Sequence, residues 1–183
     1  MAKKFLLIIL VLIIAAGAFA ACGDDTTEQT TTTTTKLSFD EIFENPDTGY
    51  TPPIFDAQSK ASYALLLSDG TIEVREYGYE GDVVKELRQS IHLYIAELTE
   101  AQKQDVVDSM STAFDDVASL NGVSVTTEIK DEYYIVSVHC TRLDDADTLK
   151  GLMDFGIVQK SEDTTLSMDT IDLILTSSGY VKQ

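Results

Sequence analysis

Cysteine, histidine and proline are scarce in this chain, and each scarcity removes something. The 183 residues contain two cysteines, Cys22 and Cys140, and two histidines, His92 and His139. Neither Cys-x-x-Cys nor His-x-x-x-His spacing can be written with them, so a zinc site has no support. His139 and Cys140 are chain neighbours, and on a strand they point to opposite faces, which rules them out as a Cys–His catalytic pair. There is no glycine-rich phosphate loop and no Gly-x-Ser-x-Gly nucleophile elbow. The three prolines, Pro46, Pro52 and Pro53, fall in one short stretch. Positive charge is scarce too: 13 Lys and Arg stand against 31 Asp and Glu, a formal net charge of −18. Nucleic acid and anionic lipid surfaces repel such a chain, which excludes nucleic-acid binding.

What is present begins with an address. Lys3 and Lys4 precede Phe5 to Ala21, a run without charge that ends in small residues and reaches Cys22. A positive start, an apolar stretch and a small-residue cleavage zone describe a secretory signal. The ending Phe19-Ala20-Ala21-Cys22 resembles the lipobox of bacterial lipoproteins, with Phe19 where that family usually places an aliphatic residue. The resemblance implies cleavage before Cys22, a diacylglycerol on its thiol, and an anchor on the extracytoplasmic face of the cell membrane. Two acyl chains, such as palmitate, hold a protein on a bilayer where one is marginal. The other reading is an uncleaved membrane-spanning helix, for which this run is at the lower length limit. With Cys22 acylated, Cys140 stands alone and no internal disulfide is possible, so the domain depends on its core.

Thr26 to Thr35 holds eight threonines, one Glu and one Gln. It offers nothing apolar to bury and reads as a tether. In Leu37 to Lys60, "LSFDEIFE" spaces Phe39, Ile42 and Phe43 as a helical turn would, before "NPDTGYTPP" breaks any helix. The expected organisation is a signal peptide over 1–21, a tether and extended linker over 22–60, and one domain over 61–183.

In that domain "ASYALLLSDGTIEV" predicts a hairpin turning at Asp69-Gly70 through a two-residue turn. Ile72 and Val74 face one way, and Thr71, Glu73 and Arg75 the other. A second turn falls near Glu80 to Asp82. The long strand "VVKELRQSIHLYI" then completes a three-stranded antiparallel meander, with His92 on its outer parity. Thr99 and Gln102 form a capping box for a helix reaching Leu120, with Val106, Val107, Met110, Phe114, Val117 and Ala118 on one face. Asn121-Gly122 stops it. "VSVTTEIKDEYYIVSVHC" predicts a second hairpin turning near Lys130-Asp131, with Tyr134, Val136, Val138 and Cys140 facing the core. Asp144 or Asp145 caps a short helix through Met153. Ser167 caps the last one, which turns Met168, Ile171, Ile174 and Leu175 inward. Gly179 ends it, and Tyr180 folds back. The expected fold class is α+β, an antiparallel sheet with helices packed on one face.

The turn "SDGTIEV", the alternating strand "VVKELRQSIHLYI", "NGVSVTTEIKDEYYIVSV" and "LSMDTIDLILTSSGY", together with the lipobox, resemble the YehR-like family of small bacterial lipoproteins. The likeness runs from about Ala61 to Tyr180. It implies a fold and an address, but no activity.

Chemistry is harder to find. The acidic run Asp144 to Asp147 invites a calcium reading, but counting from Asp145 puts Leu149 and Lys150 where an EF-hand needs an oxygen ligand and a glycine. Acidic residues at a helix start are explained by the helix itself. Tyr77, Tyr79 and Tyr94 would form a platform for sugars or peptides if one face of the first sheet were uncovered. No catalytic residue, metal or cofactor is expected. The reading is a non-enzymatic module anchored through Cys22, with an envelope ligand or protein as partner. The alternatives are an accessory protein acting through protein contacts and a hydrolase using paired carboxylates.

Overall fold

The computed structural model describes residues 54–160 and 164–183. Strands β1 (Ser59–Leu66), β2 (Ile72–Glu80) and β3 (Val83–Tyr94) form the expected meander, followed by helix α1 (Glu100–Ala118) and the hairpin β4 (Val123–Lys130) and β5 (Tyr133–Cys140). Helices α2 (Ala146–Phe155) and α3 (Met168–Ser177) come next, and strand β6 (Val181–Lys182) ends the chain. One antiparallel sheet carries all six strands in the order β4-β5-β3-β2-β1-β6. The protein is α+β, as its sequence predicts, with one short strand more than expected.

Local chemistry sets the boundaries. Leu67 and Thr71 close the first hairpin, and Gly70 N–H returns to Leu67 C=O with φ 83°. The loop therefore holds Ser68, Asp69 and Gly70, one residue more than the expected two-residue turn, with the glycine in the left-handed position of a bulged three-residue hairpin. Thr99 and Gln102 make the capping box of α1, Asp145 caps α2, and Ser167 caps α3. Gly179 (φ 94°) ends α3, and Tyr180 N–H returns to Leu175 C=O.

The three helices among the described residues pack on one face of the sheet. Met110, Phe114 and Val117 of α1, Leu149, Leu152 and Met153 of α2, and Met168 and Leu175 of α3 join Tyr63, Leu87, Ile91, Tyr134, Val136, Val138 and Cys140 in one core. Ala118, expected on the inner face of α1, is exposed. Gly78 pairs with Glu86 and Tyr79 with Val84, so β3 carries an extra residue at Lys85. That bulge brings Val84 onto the helix side with Leu87.

The opposite face is buried as well. Ala64, Ile72, Val74, Tyr133 and Ile135 form a second apolar cluster there. His92, on the parity read as outer, is 2 % exposed and packs edge-on against Tyr133. Phe55 is buried beside His139 and Gly78, and Asp56 N–H donates to Glu86 at 3.0 Å, so packing begins ahead of Ala61.

Candidate functional site

With both faces buried, β2 splits its side chains between two interiors. Ile72 and Val74 enter the small cluster, while Glu73, Arg75 and Tyr77 turn under the helices. A charged pair on the helix side survives burial only if each group is neutralised and hydrogen-bonded. Arg75 Nε and Nη2 both reach Glu73 Oε1, at 2.8 and 2.7 Å, and Gln89 Nε2 donates to the same oxygen at 2.7 Å. Gln89 stands opposite Arg75 on β3. Arg75 Nη1 donates to Ile157 C=O at 3.3 Å, and its guanidinium carbon lies 5.7 Å from the Tyr180 ring centroid.

The pairing converges on one carboxylate oxygen, short of the two-oxygen fork that guanidinium and carboxylate can form. The Arg75 side chain retains 13 % exposure. Burial is the largest single influence on its guanidinium and lowers the pKa, but Glu73, Tyr180 and Tyr77 around it together outweigh burial, and the net shift is upward. The group is a permanent cation. Burial also raises the phenols of Tyr77 and Tyr180, with Arg75 opposing in both cases. Gln89 Oε1 and the Tyr180 hydroxyl are buried without a hydrogen-bond partner.

Above this cluster lies a groove of about 290 Å³. Its floor is Arg75 and Tyr77, and one wall is α3, through Thr170, Ile171, Ile174 and Leu175. The other wall comes from Ile157 to Lys160, which follow α2, and from Thr165, Leu166 and Ser167, which lead into α3. The start of α3 is fixed to the β2–β3 turn. Asp82 C=O accepts from Met168 N–H and its carboxylate from Asp169 N–H, both at 2.8 Å, while Val84 N–H donates to Leu166 C=O at 3.0 Å. The Asp169 N–H, followed by the Ser167 hydroxyl, holds the Asp82 carboxyl below its usual range.

The expected site residues fall elsewhere. Cys22 lies outside the described residues. The tyrosines do not form a platform: Tyr77 is under the helices, whereas Tyr94 packs on Tyr133 at 5.6 Å on the opposite face. The premise fails because that opposite face is itself buried. Asp145 serves as a cap, its carboxyl lowered first by Thr148 N–H and then by Asn121. Cys140 is a free, buried thiol whose pKa burial raises. His139 lies 3.7 Å from Glu86, on the face away from Cys140. Among the described residues no three His, Cys, Asp or Glu side chains gather as a metal-binding set, and no helix is long and apolar enough to cross a membrane.

Sequence reasoning missed Arg75, although a signal was there. Tyr77 and Tyr79 share its parity, and a strand that alternates charge with aromatics on one side fits a buried ion pair better than a wet face.

No protein-family description and no curated protein matches the chain. Among solved structures the fold is similar to that of YehR from E. coli, determined by NMR, at 20 % identity and a TM-score of 0.56, covering 70 % of this chain and 93 % of that one. A protein from Streptococcus pneumoniae TIGR4 is a more distant likeness, at 12 % identity and a TM-score of 0.46, covering 90 % of this chain and 99 % of that one. The chain thus has a YehR-like α+β fold.

Proposed function

We propose that this chain is a lipoprotein of the YehR-like kind, anchored through Cys22 on the extracytoplasmic face of a bacterial membrane, and that its domain is a non-enzymatic binding module. The address is supported by the lipobox-like Phe19-Ala20-Ala21-Cys22 and the threonine run behind it. The binding role is carried by one observation, the groove between α3 and β2 with the Arg75 guanidinium at its floor. A concave site with apolar walls and a few convergent polar groups is the usual form of a small-ligand site. The accessory-protein alternative has less support. Among the described residues the large exposed apolar side chains, such as Leu173 on α3, Ile129 on β4 and Ile54 ahead of β1, stand far apart along the chain. A carboxylate hydrolase has less still, because no Asp or Glu is among the described groove residues.

Two measurements test the proposal. Labelled palmitate is incorporated by cells expressing the chain, and Cys22→Ser abolishes incorporation; label retained by the variant overturns the anchor. For the domain, a thermal-shift screen of the full chain in detergent spans wall fragments, sugars, peptides and divalent ions. A ligand at a hundred times its dissociation constant adds about 2.7 kcal/mol and raises the midpoint by several degrees. No saturable shift across the panel moves the assignment to protein contacts.

A further inference from the structure

Resting on the reading of the groove as a ligand site, we infer that its ligand is a small organic anion, a carboxylate carried on a compact apolar body. The charge distribution is the first reason. The chain has 13 basic and 31 acidic residues, yet the described groove residues include two cations, Arg75 and Lys160, and no acid. Glu73 offsets the charge of Arg75 from below, so Arg75, Lys160 and Glu73 together carry a net charge near that of one cation.

The donors are the second reason. A guanidinium has five N–H groups in a fixed fork. In Arg75 the Nε and Nη2 bonds go to Glu73, one Nη1 bond goes to Ile157 C=O and a further bond meets the Tyr77 hydroxyl, which leaves one terminal N–H unspent. A carboxylate oxygen accepts from such a donor in a charge-assisted bond. The walls are the third reason. Ile157, Ile171, Ile174 and Leu175 line the space above Arg75, so a strongly hydrated anion such as free phosphate would lose water there without gaining contacts. At about 290 Å³ the groove is at the small end of ligand sites, the size for a ring or a short chain.

The test uses the full chain in phosphatidylcholine nanodiscs and two matched probes, 4-(trifluoromethyl)benzoate and 4-(trifluoromethyl)benzamide, followed by fluorine NMR against empty nanodiscs. The benzoate binds about tenfold more tightly than the neutral amide. Lys160→Gln, an exposed rim change, weakens the benzoate and leaves the amide unchanged. Thr170→Trp on the exposed side of α3 fills the groove and blocks both. Equal binding of acid and amide, both blocked by Thr170→Trp, overturns the anion and keeps the binding module. Binding of neither probe, with a saturable thermal shift from another ligand, also overturns the anion alone. Silence in both experiments removes the binding module as well.

Discussion

The Tyr63 hydroxyl donates a 2.6 Å hydrogen bond to Asp172 Oδ1, tying the fully buried tyrosine of β1 to the solvent side of α3. Lys182 of β6 reaches the same oxygen at 2.6 Å. One carboxylate therefore joins β1, α3 and β6, and α3 is the helix that walls the groove. Lys182 first, and Tyr63 second, hold the Asp172 carboxyl below its usual range. A carboxyl with a lowered folded pKa contributes stability that is complete above its unfolded value of about 3.9. The contribution is lost as pH falls through the folded value. The Asp172 side chain is 40 % exposed, so solvent screening keeps the effect below about 1 kcal/mol. Urea titrations from neutral to acid pH should show Asp172→Asn less stable than the parent at pH 7, with the difference shrinking in acid. Tyr63→Phe should cost about 1 kcal/mol and leave the fold intact. A constant Asp172→Asn difference down to the lowest pH removes the charge from the account.

How much of this was legible in the sequence depended on range. Local signals are legible: the capping box at Thr99, the cap Ser167, a cap at Asp144 or Asp145 that the structure places on Asp145, and the return of Tyr180 after Gly179 each need only neighbours a few residues away. Hairpins were legible for the same reason. The facing of β2 was not, because both of its sides are buried, and alternation identifies two faces without saying which one receives helices. β6 has two residues, too few for any period. The groove joins Arg75 to Ile157 and to Ile174, and no sequence pattern spans that separation.

The tyrosines make alkaline pH informative. Tyr63 is raised first by burial and then by Asp172, and burial is also the leading cause for Tyr77 and Tyr180. An unfolded phenol titrates near 10. Groups whose folded pKa is raised contribute stability that is whole below the unfolded value and is lost as pH rises above it. Tyrosinate absorbance from these three residues and the loss of far-UV circular dichroism should therefore rise together above about pH 10. Full ionisation of all tyrosines with the dichroism intact contradicts their burial.

Gly122 stands where the chain leaves α1 for β4, with φ 70°, and a Cβ there would meet the Arg142 side chain. The atoms met are Arg142 Cγ and, at 2.6 Å, its Cβ, which is fixed to the backbone and cannot swing aside, and the backbone angle cannot be relieved either. Gly122→Ala should destabilise by about 1 kcal/mol or more, and pairing it with Arg142→Ala should recover only a minor part. Arg142→Ala removes Cγ and keeps Cβ, so full recovery in the double variant makes the Cγ contact alone responsible.

The Glu73–Arg75 pair separates a role in folding from a role in binding. Its side chains are 9 % and 13 % exposed, so removing one partner leaves a charge with little water around it. Glu73→Gln or Arg75→Met alone should cost about 3–5 kcal/mol, as breaking a buried pair does. The double variant Glu73→Leu with Arg75→Met leaves no orphaned charge. Its stability should return to within about 1–2 kcal/mol of the parent, a coupling that denaturant titrations of all four proteins measure. If the ion pair existed for stability alone, the double variant would be a complete replacement. With the groove floor made apolar, it should fold and yet lose the preference of the benzoate over the amide. A double variant that folds and keeps that preference shows that Arg75 is a core residue and that Lys160 alone provides the charge.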